Sequence, residues 1–354
     1  MRKAKTWCLA VLAALLVLLA AAAGINAWVD PFFHYRAPRE GIAYDMQSER
    51  YLNDGILKHF DYDAILLGSS VTMNFQTSQC DALFGCRTVK APHPNALCRE
   101  LYDELQAAFT AKDGIRYVFY GLDYAAILAD KDQASPDFVA PDYLRNGPGL
   151  DDIEYLLNKD VLLKESLHDL RYTARGGVTT GFDAYKTWNF GDPFTAANRL
   201  RLDEAEEFDR DGEGLTEEER QMVRDNLEQN LLSLARSHPD TVFYVFVPPH
   251  SIVRWYEYGR DGMLRKAVEA EQEACLCLQS CPNVYFFSFF NETELVCDLE
   301  NYMDAVHYGQ WVNRNLLEWM HEGQHRLTAE NQAAYYREIL DFYRNYDYAS
   351  LRGR

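Results

Sequence analysis

The chain alternates between long and short apolar stretches, and the lengths separate its elements. No charged residue appears from Thr6 to Val29, a stretch rich in Leu, Ala and Val. At about 1.5 Å per residue a helix over it reaches about 36 Å, enough to cross a hydrocarbon layer of about 30 Å. Downstream the apolar runs are short. Ala64-Ile-Leu-Leu67, Arg116 to Gly121, Thr241 to Val247 and Asn283 to Ser288 read as strands buried on both faces, and Arg87 to Lys90 as a shorter one. Between them, Asn95 to Ala111 places Leu97, Leu101, Leu105 and Ala108 on one helical stripe, and Gly262 to Ser280 and Tyr308 to His321 are also helical in pattern. Thr328 to Leu351 puts Tyr335, Ile339, Phe342 and Tyr346 on one side of a closing helix. Strands alternating with helices predict an α/β fold, a three-layer sandwich around a mainly parallel sheet.

The same pattern divides the chain. Residues 1–29 form an N-terminal transmembrane anchor, and Asp30-Pro31 ends that helix and opens a juxtamembrane connector over 30–60. An α/β domain follows over 61–325, interrupted at about 130–225 by a loop-rich insertion, and 326–354 is a C-terminal helix packing back on the domain. The insertion is rich in rings (Tyr172, Phe182, Tyr185, Trp188, Phe190, Phe194) and is expected at the active-site edge. Tyr185 and Trp188 are candidates to stack sugars, although core packing is the expected job of most of these rings. Arg2, Lys3 and Lys5 hold the start of the chain in the cytoplasm and send the main domain outside, with Trp7 and Trp28 as interface anchors. The alternative is a cleaved signal peptide cut at Ala21-Ala22-Ala23-Gly24; both readings export the domain.

Charge and cysteines narrow the partners. The 35 Lys+Arg against 54 Asp+Glu leave −19, a field that repels phosphate backbones and argues against nucleic acid. Outside the cytoplasm disulfides are plausible, and Cys80–Cys86 is the first candidate. Cys275, Cys277 and Cys281 cluster without a fourth ligand at metal spacing, so neither a metal nor another cofactor is expected. Asp209-Arg-Asp211-Gly-Glu213-Gly214 begins like a calcium loop, but its twelfth position is Arg220; Thr216 with Glu219 reads better as a capping box.

The chemistry lies in two distant segments. The apolar run Ala64–Leu67 stops at Gly68-Ser69-Ser70, and near the other end stands Asp304-Ala-Val-His307. A serine at the carboxyl end of a parallel strand sits where ligands bind in open α/β sheets. A helix beginning at Val71 or Thr72 would turn unpaired N–H groups toward a developing oxyanion. Asp304 and His307, three apart, fall on the same side of a helical turn or tight loop. His307 is then general base and later general acid, with Asp304 holding its tautomer.

These two blocks, in this order, resemble the SGNH (GDSL-type) hydrolase superfamily over roughly residues 60–325. Gly68-Ser69-Ser70 stands where that family has Gly-Asp-Ser, which maps the nucleophile to Ser70, and Asp304-Ala-Val-His307 matches its terminal Asp-x-x-His block. The resemblance implies an SGNH/flavodoxin-like sheet and a catalytic set of Ser70, Asp304 and His307. Gly-Ser-Ser behind an N-terminal anchor further resembles membrane-tethered proteins of teichoic-acid D-alanylation and polysaccharide O-acetylation. What this implies is an exported serine esterase or O-acyltransferase working on acyl or acetyl esters of cell-envelope glycans. The implied partners are the lipid bilayer through residues 6–29, and a cell-envelope glycan or a membrane acyltransferase. The family's other oxyanion donors, a glycine after the second strand and an asparagine after the third, are missing. Ala91-Pro-His93-Pro-Asn95-Ala96 and Gly121-Leu-Asp123-Tyr124 stand there instead, which assigns Asn95, Asp123 and His93 to the oxyanion and substrate-binding region. An ionised Asp accepts hydrogen bonds and cannot stabilise an oxyanion. The alternative is therefore a catalytically weak or inactive protein of the same fold that binds a glycan or a partner acyltransferase.

Overall fold

The computed structural model describes residues 2–135, 140–188 and 212–351. Phe190 and Phe194 of the aromatic stretch and Asp209 to Asp211 of the acidic turn lie outside them. Two compact units divide the chain, one of Met1–Phe60 with Val139–Gly181, the other of Asp61–Phe138 with Phe182–Arg354.

The second unit is a mixed α/β structure around one six-stranded sheet. Its strands are β1 (Ala64–Leu67), β2 (Thr88–Lys90), β3 (Tyr117–Gly121), β4 (Val242–Val247), β5 (Val284–Ser288) and β6 (Arg326–Leu327), in the order β2-β1-β3-β4-β5-β6. The first five are parallel, and β6 closes the β5 edge antiparallel through Phe286–Leu327 and Phe287–Arg326. The five apolar runs read from the sequence become β1 to β5. The added strand, β6, has two residues, too few to carry a pattern.

Side-chain alternation explains why those runs are apolar throughout. Leu66, Phe119, Phe246 and Phe287 point to one face and pack with Phe84 and Cys80 of the helix Thr77–Phe84 and with Val312, Leu316 and Met320 of the helix Gln310–Glu322. The alternate residues Ile65, Val118, Val245 and Phe286 point the other way and are equally buried. Both faces are therefore covered, as a parallel sheet requires. Each such side chain contributes on the order of 1.5–3 kcal/mol by leaving water. The helix Glu217–Leu227 opens with the expected capping box between Thr216 and Glu219.

Two local expectations are corrected. No long helix follows Ser70: a single 3-10 turn, Ser70–Thr72, comes first, and the α-helix starts only at Thr77. The cysteines are all thiols, Cys80 and Cys86 included. Gly85, with φ 60°, ends the helix between them, and the Cys86 sulfur turns to the Cys80 carbonyl oxygen (3.6 Å) and the Thr88 hydroxyl (3.4 Å) rather than to the Cys80 sulfur.

In the first unit the helix Arg2–Val29 has a mean hydropathy of 2.8 over its apolar window, and it is long and apolar enough to cross a membrane. Its end is built into folded structure. Asp30 takes a left-handed conformation (φ 53°), and its carboxylate accepts from the amides of His34, Tyr35 and Arg36.

Candidate active site

Gly68 ends β1 with φ 149° in a crowded corner. A Cβ there would stand 2.6 Å from Thr72 Cγ2 and 2.9 Å from the Gly121 carbonyl oxygen, so only glycine turns the chain at this point. The turn delivers Ser70 to the carboxyl edge of the sheet. Thr72 closes it, donating from both its amide and its hydroxyl to the Ser69 carbonyl oxygen.

The late segment reaches the same edge through a closed loop. Tyr302 and Tyr308 pair as an isolated antiparallel bridge, and the Met303 amide donates to the His307 carbonyl oxygen at 2.8 Å. The loop is pinned to the chain leaving β4. The Tyr302 hydroxyl donates to the Pro249 carbonyl oxygen (2.8 Å), and the Ser251 amide and hydroxyl both donate to that of Ala305.

These supports bring three predicted residues together. Ser70 Oγ lies 2.7 Å from His307 Nε2 across 237 positions of sequence, and His307 Nδ1 lies 2.7 Å from Asp304 Oδ2. The other Asp304 oxygen accepts from the amides of Val306 and His307, both at 2.8 Å. Burial works to raise the Asp304 pKa, but the His307 ring and these two amides outweigh it and hold the carboxyl below its ordinary value. An ionised Asp304 can only accept, so Nδ1 carries the ring proton and Nε2 offers a lone pair to the Ser70 hydroxyl. A neutral imidazole poised this way is arranged to accept the proton of that hydroxyl.

A cavity of about 430 Å³ opens over Ser70 and His307. Asn95 and Asp123 line it. Asn95 stands in a left-handed conformation (φ 53°), and Asp123 sits at the start of the helical turn Tyr124–Ile127, 3.4 Å from His250 Nε2. His93 is not among the cavity's lining residues: it is buried beneath, its Nε2 3.0 Å from Glu104 Oε1 on the helix Cys98–Ala111, and its amide holds the Gly68 carbonyl oxygen at 2.9 Å. A carboxylate buried on that helix needs a partner, and His93 supplies it, so its part in the site is to hold the turn. A larger cleft, about 670 Å³, runs between the helices Leu264–Leu278 and Gln332–Asn345, but neither a serine nor a histidine lines it.

Several residues here escaped the sequence. His250, Arg254 and Tyr258 line the cavity, delivered by the chain after β4. Their signal was the Pro248-Pro249 stop at the carboxyl end of a strong strand. Trp188 is buried rather than free to stack on a sugar, and so is Tyr185. The Trp188 amide donates to Asn74 Oδ1 (3.0 Å) and its ring N–H to the Ser70 carbonyl oxygen (2.8 Å). Lys90, at the end of β2, is wholly buried and donates to the carbonyl oxygens of Met73 (2.6 Å) and Phe75 (3.1 Å), in the segment after the serine.

Neither a protein-family profile nor a curated protein matches this chain. Among solved structures it is similar to a protein from Streptococcus pneumonia described as a candidate platelet activating factor, at 12% identity and a TM-score of 0.41, over 78% of this chain and 90% of that one.

Proposed function

We propose that this chain is a membrane-tethered serine esterase or O-acyltransferase of the SGNH type, exported so that its α/β unit faces the cell envelope. The observation that carries the reading is the unbroken relay from Ser70 Oγ to His307 Nε2 and from His307 Nδ1 to Asp304, with 2.7 Å at each step. In this reading Ser70 Oγ forms a bond to the ester carbonyl carbon while its proton passes to His307 Nε2. The tetrahedral adduct then expels the alcohol, which takes that proton, and leaves an acyl group on Ser70. Water or a sugar hydroxyl next attacks the acyl carbon, with His307 again the base, giving hydrolysis or transfer. The Asn95 side-chain amide and the backbone N–H of Ser70 are the candidate oxyanion donors. An acyl or acetyl ester of a cell-envelope glycan is the proposed substrate.

The test uses the full chain in detergent with nitrophenyl acetate and a fluorophosphonate probe. Turnover and labelling of the native chain, both lost in Ser70→Ala, are expected. Activity unchanged in Ser70→Ala removes the site assignment. A folded chain that neither turns over ester nor takes the probe points instead to a glycan- or partner-binding protein on the same fold, the reading favoured by a carboxylate at Asp123 where a donor would serve catalysis.

A further inference from the structure

Short contacts lock the last turns of the apolar helix to a segment far along the sequence. The Asn26 side-chain amide donates to the Leu156 carbonyl oxygen (3.0 Å), and its own oxygen accepts from the Ser166 hydroxyl (2.9 Å). The Tyr155 hydroxyl donates to the Asp30 carboxylate (3.0 Å), and Asp152 meets His34 Nε2 (3.0 Å) and the Tyr35 hydroxyl (3.1 Å). Arg36 and Arg39 donate to the otherwise unpaired carbonyl oxygens of Ala27 and Trp28.

That segment carries an apolar outer face. Ile153 and Leu157, four apart across the helix Asp152–Leu156, share one stripe, and Leu150 stands in the turn just before it. With Leu163 they are 98%, 59%, 38% and 56% exposed, while Tyr155 between them is fully buried. A helix bordered by water carries polar residues on its outer face. Lys159 and Lys164 are also exposed on this segment, as are Glu154 and Asp160, and Lys164 pairs with Asp160 at 3.3 Å.

The depth of this face follows from the helix. A hydrocarbon layer of about 30 Å takes about 20 helical residues. Counted from Thr6, just past the basic end, it finishes near Ile25, which leaves Asn26 to Val29 at the headgroup level. Trp28, half exposed with the Arg39 guanidinium over its ring, suits that level. The segment bonded to Asn26 lies at the same depth.

We infer that Leu150, Ile153, Leu157 and Leu163 form a shelf that inserts into the membrane interface beside the emerging helix. The chain then meets the bilayer through two elements, one crossing it and one lying in its surface. The ligand class is phospholipid: acyl chains near the headgroup take the four apolar side chains, and the polar residues of the segment, Lys159 among them, stay at the headgroup level. Continuity with the apolar helix selects lipid over a protein partner. The inference rests on reading that helix as retained in the membrane. Its consequence is that the first unit is held at a set tilt instead of swinging on a single tether.

The test uses the full chain carrying Cys8→Ala, reconstituted in phosphatidylcholine–phosphatidylglycerol vesicles. A polarity-sensitive NBD label is attached through Ile153→Cys or Leu163→Cys, with Gln106→Cys as the control on the other unit and the parent chain as labelling background. Labels at 153 and 163 are expected to shift to the blue and to be quenched by a lipid bearing a nitroxide near its headgroup, while the label at 106 does neither. Emission at 153 and 163 as wet as at 106 overturns the shelf. A blue shift without lipid quenching also overturns it and assigns the face to a second copy or another protein. The intact mass of the reconstituted chain separates the two layers of the reading: a chain cut at Ala21 to Gly24 that is still quenched keeps the shelf and loses the anchor.

Discussion

The Trp188 ring stands edge-on to the His307 ring, with centres 5.1 Å apart and planes at 77°, while its N–H holds the Ser70 carbonyl oxygen at 2.8 Å. One side chain thus touches both the His307 ring and the Ser70 backbone. Its loop is itself tied down, since Asp183 accepts from the Thr77 hydroxyl and from the Ser78 amide and hydroxyl. Trp188→Phe removes the hydrogen bond and keeps a ring; Trp188→Ala removes both. A net hydrogen bond is worth about 0.5–1.5 kcal/mol and an aromatic pair a similar amount. At about 1.4 kcal/mol per tenfold in rate, Phe should lower kcat about 3–10-fold and Ala about 10–100-fold. KM should hardly move, because Trp188 positions the reacting pair instead of binding ester. A rise in KM at constant kcat would make it a substrate contact and defeat this account.

Asp304 tests the relay more directly. Asp304→Asn keeps the shape but can present an N–H to Nδ1, which turns the ring proton to Nε2 and faces a donor toward Ser70. The wrong tautomer should cost on the order of 10³–10⁴-fold in kcat. Thermal stability should change little, since Asp304 is nearly half exposed. Stopped-flow labelling with the fluorophosphonate reads the same loss without a turnover assay.

Lys90 gives a pH signature. Burial pushes its amine down to about 7, and a neutral amine has two N–H groups for its two carbonyl partners. In the unfolded chain the group titrates near its ordinary value of 10.5. Between about 7 and 10.5 the unfolded state therefore holds one more proton, and stability from this site rises with pH by about 1.4 kcal/mol per unit. Below 7 both states are charged and the cost of burying the ammonium is fully present. Lys90→Met abolishes this dependence. Urea denaturation of both proteins from pH 6.5 to 9.5 should show the native-minus-variant difference climbing with pH; a flat difference would mean that Lys90 is not desolvated in solution.

How much of this was legible depended on whether the cause was local. β1 to β5 were readable because strands buried on both faces must be apolar at every position. Ser70, Asp304 and His307 were readable because each sits in a short block whose residue types have few other joint uses. For His93 a binding role and a structural one were not separable, because its partner Glu104 lies on the next helix and nothing in the Ala91-to-Ala96 block announces which way the ring points. Trp188 and Lys90 were hidden for the same kind of reason. Neither the bond from the Trp188 ring to the Ser70 carbonyl oxygen nor the burial of Lys90 shows until the fold brings the Ser70–Phe75 segment against them.

The Gly68 turn predicts a rescue. A Cβ on Gly121 would lie 2.4 Å from Thr72 Cγ2 and 3.4 Å from Phe246 Cζ, so the methyl of Thr72 is the main obstacle. Gly121→Ala alone should cost about 1–3 kcal/mol of stability by overpacking. Thr72→Ser removes that methyl and keeps the hydroxyl that holds the Ser69 carbonyl oxygen, so the double variant should recover most of the loss. Gly68→Ala should not be rescued by Thr72→Ser, because its positive φ and the Gly121 carbonyl oxygen remain. A double-mutant cycle in urea measures both. Additive costs at 72 and 121 would show that the two side chains do not meet.

If the proposed ester chemistry holds, Asp123 offers the sharpest test of it. Its carboxylate lines the cavity over Ser70 and stands 3.4 Å from His250, where an acceptor-only group opposes negative charge developing on a substrate oxygen. Losing one oxyanion donor typically costs about 100–1000-fold, so supplying one should recover part of that. Asp123→Asn keeps the size, removes the charge and adds an N–H donor. A rise of about tenfold or more in kcat on nitrophenyl acetate is expected, with KM less affected and with the gain abolished by Ser70→Ala. His250→Leu should act in the opposite direction, because it leaves the Asp123 carboxylate without its polar neighbour. A fall in kcat for Asp123→Asn would mean that the carboxylate itself takes part, as an acceptor for the hydroxyl that receives the acyl group. The nitrophenyl assay run with and without an added polyol distinguishes that role, since only transfer to the polyol would then collapse.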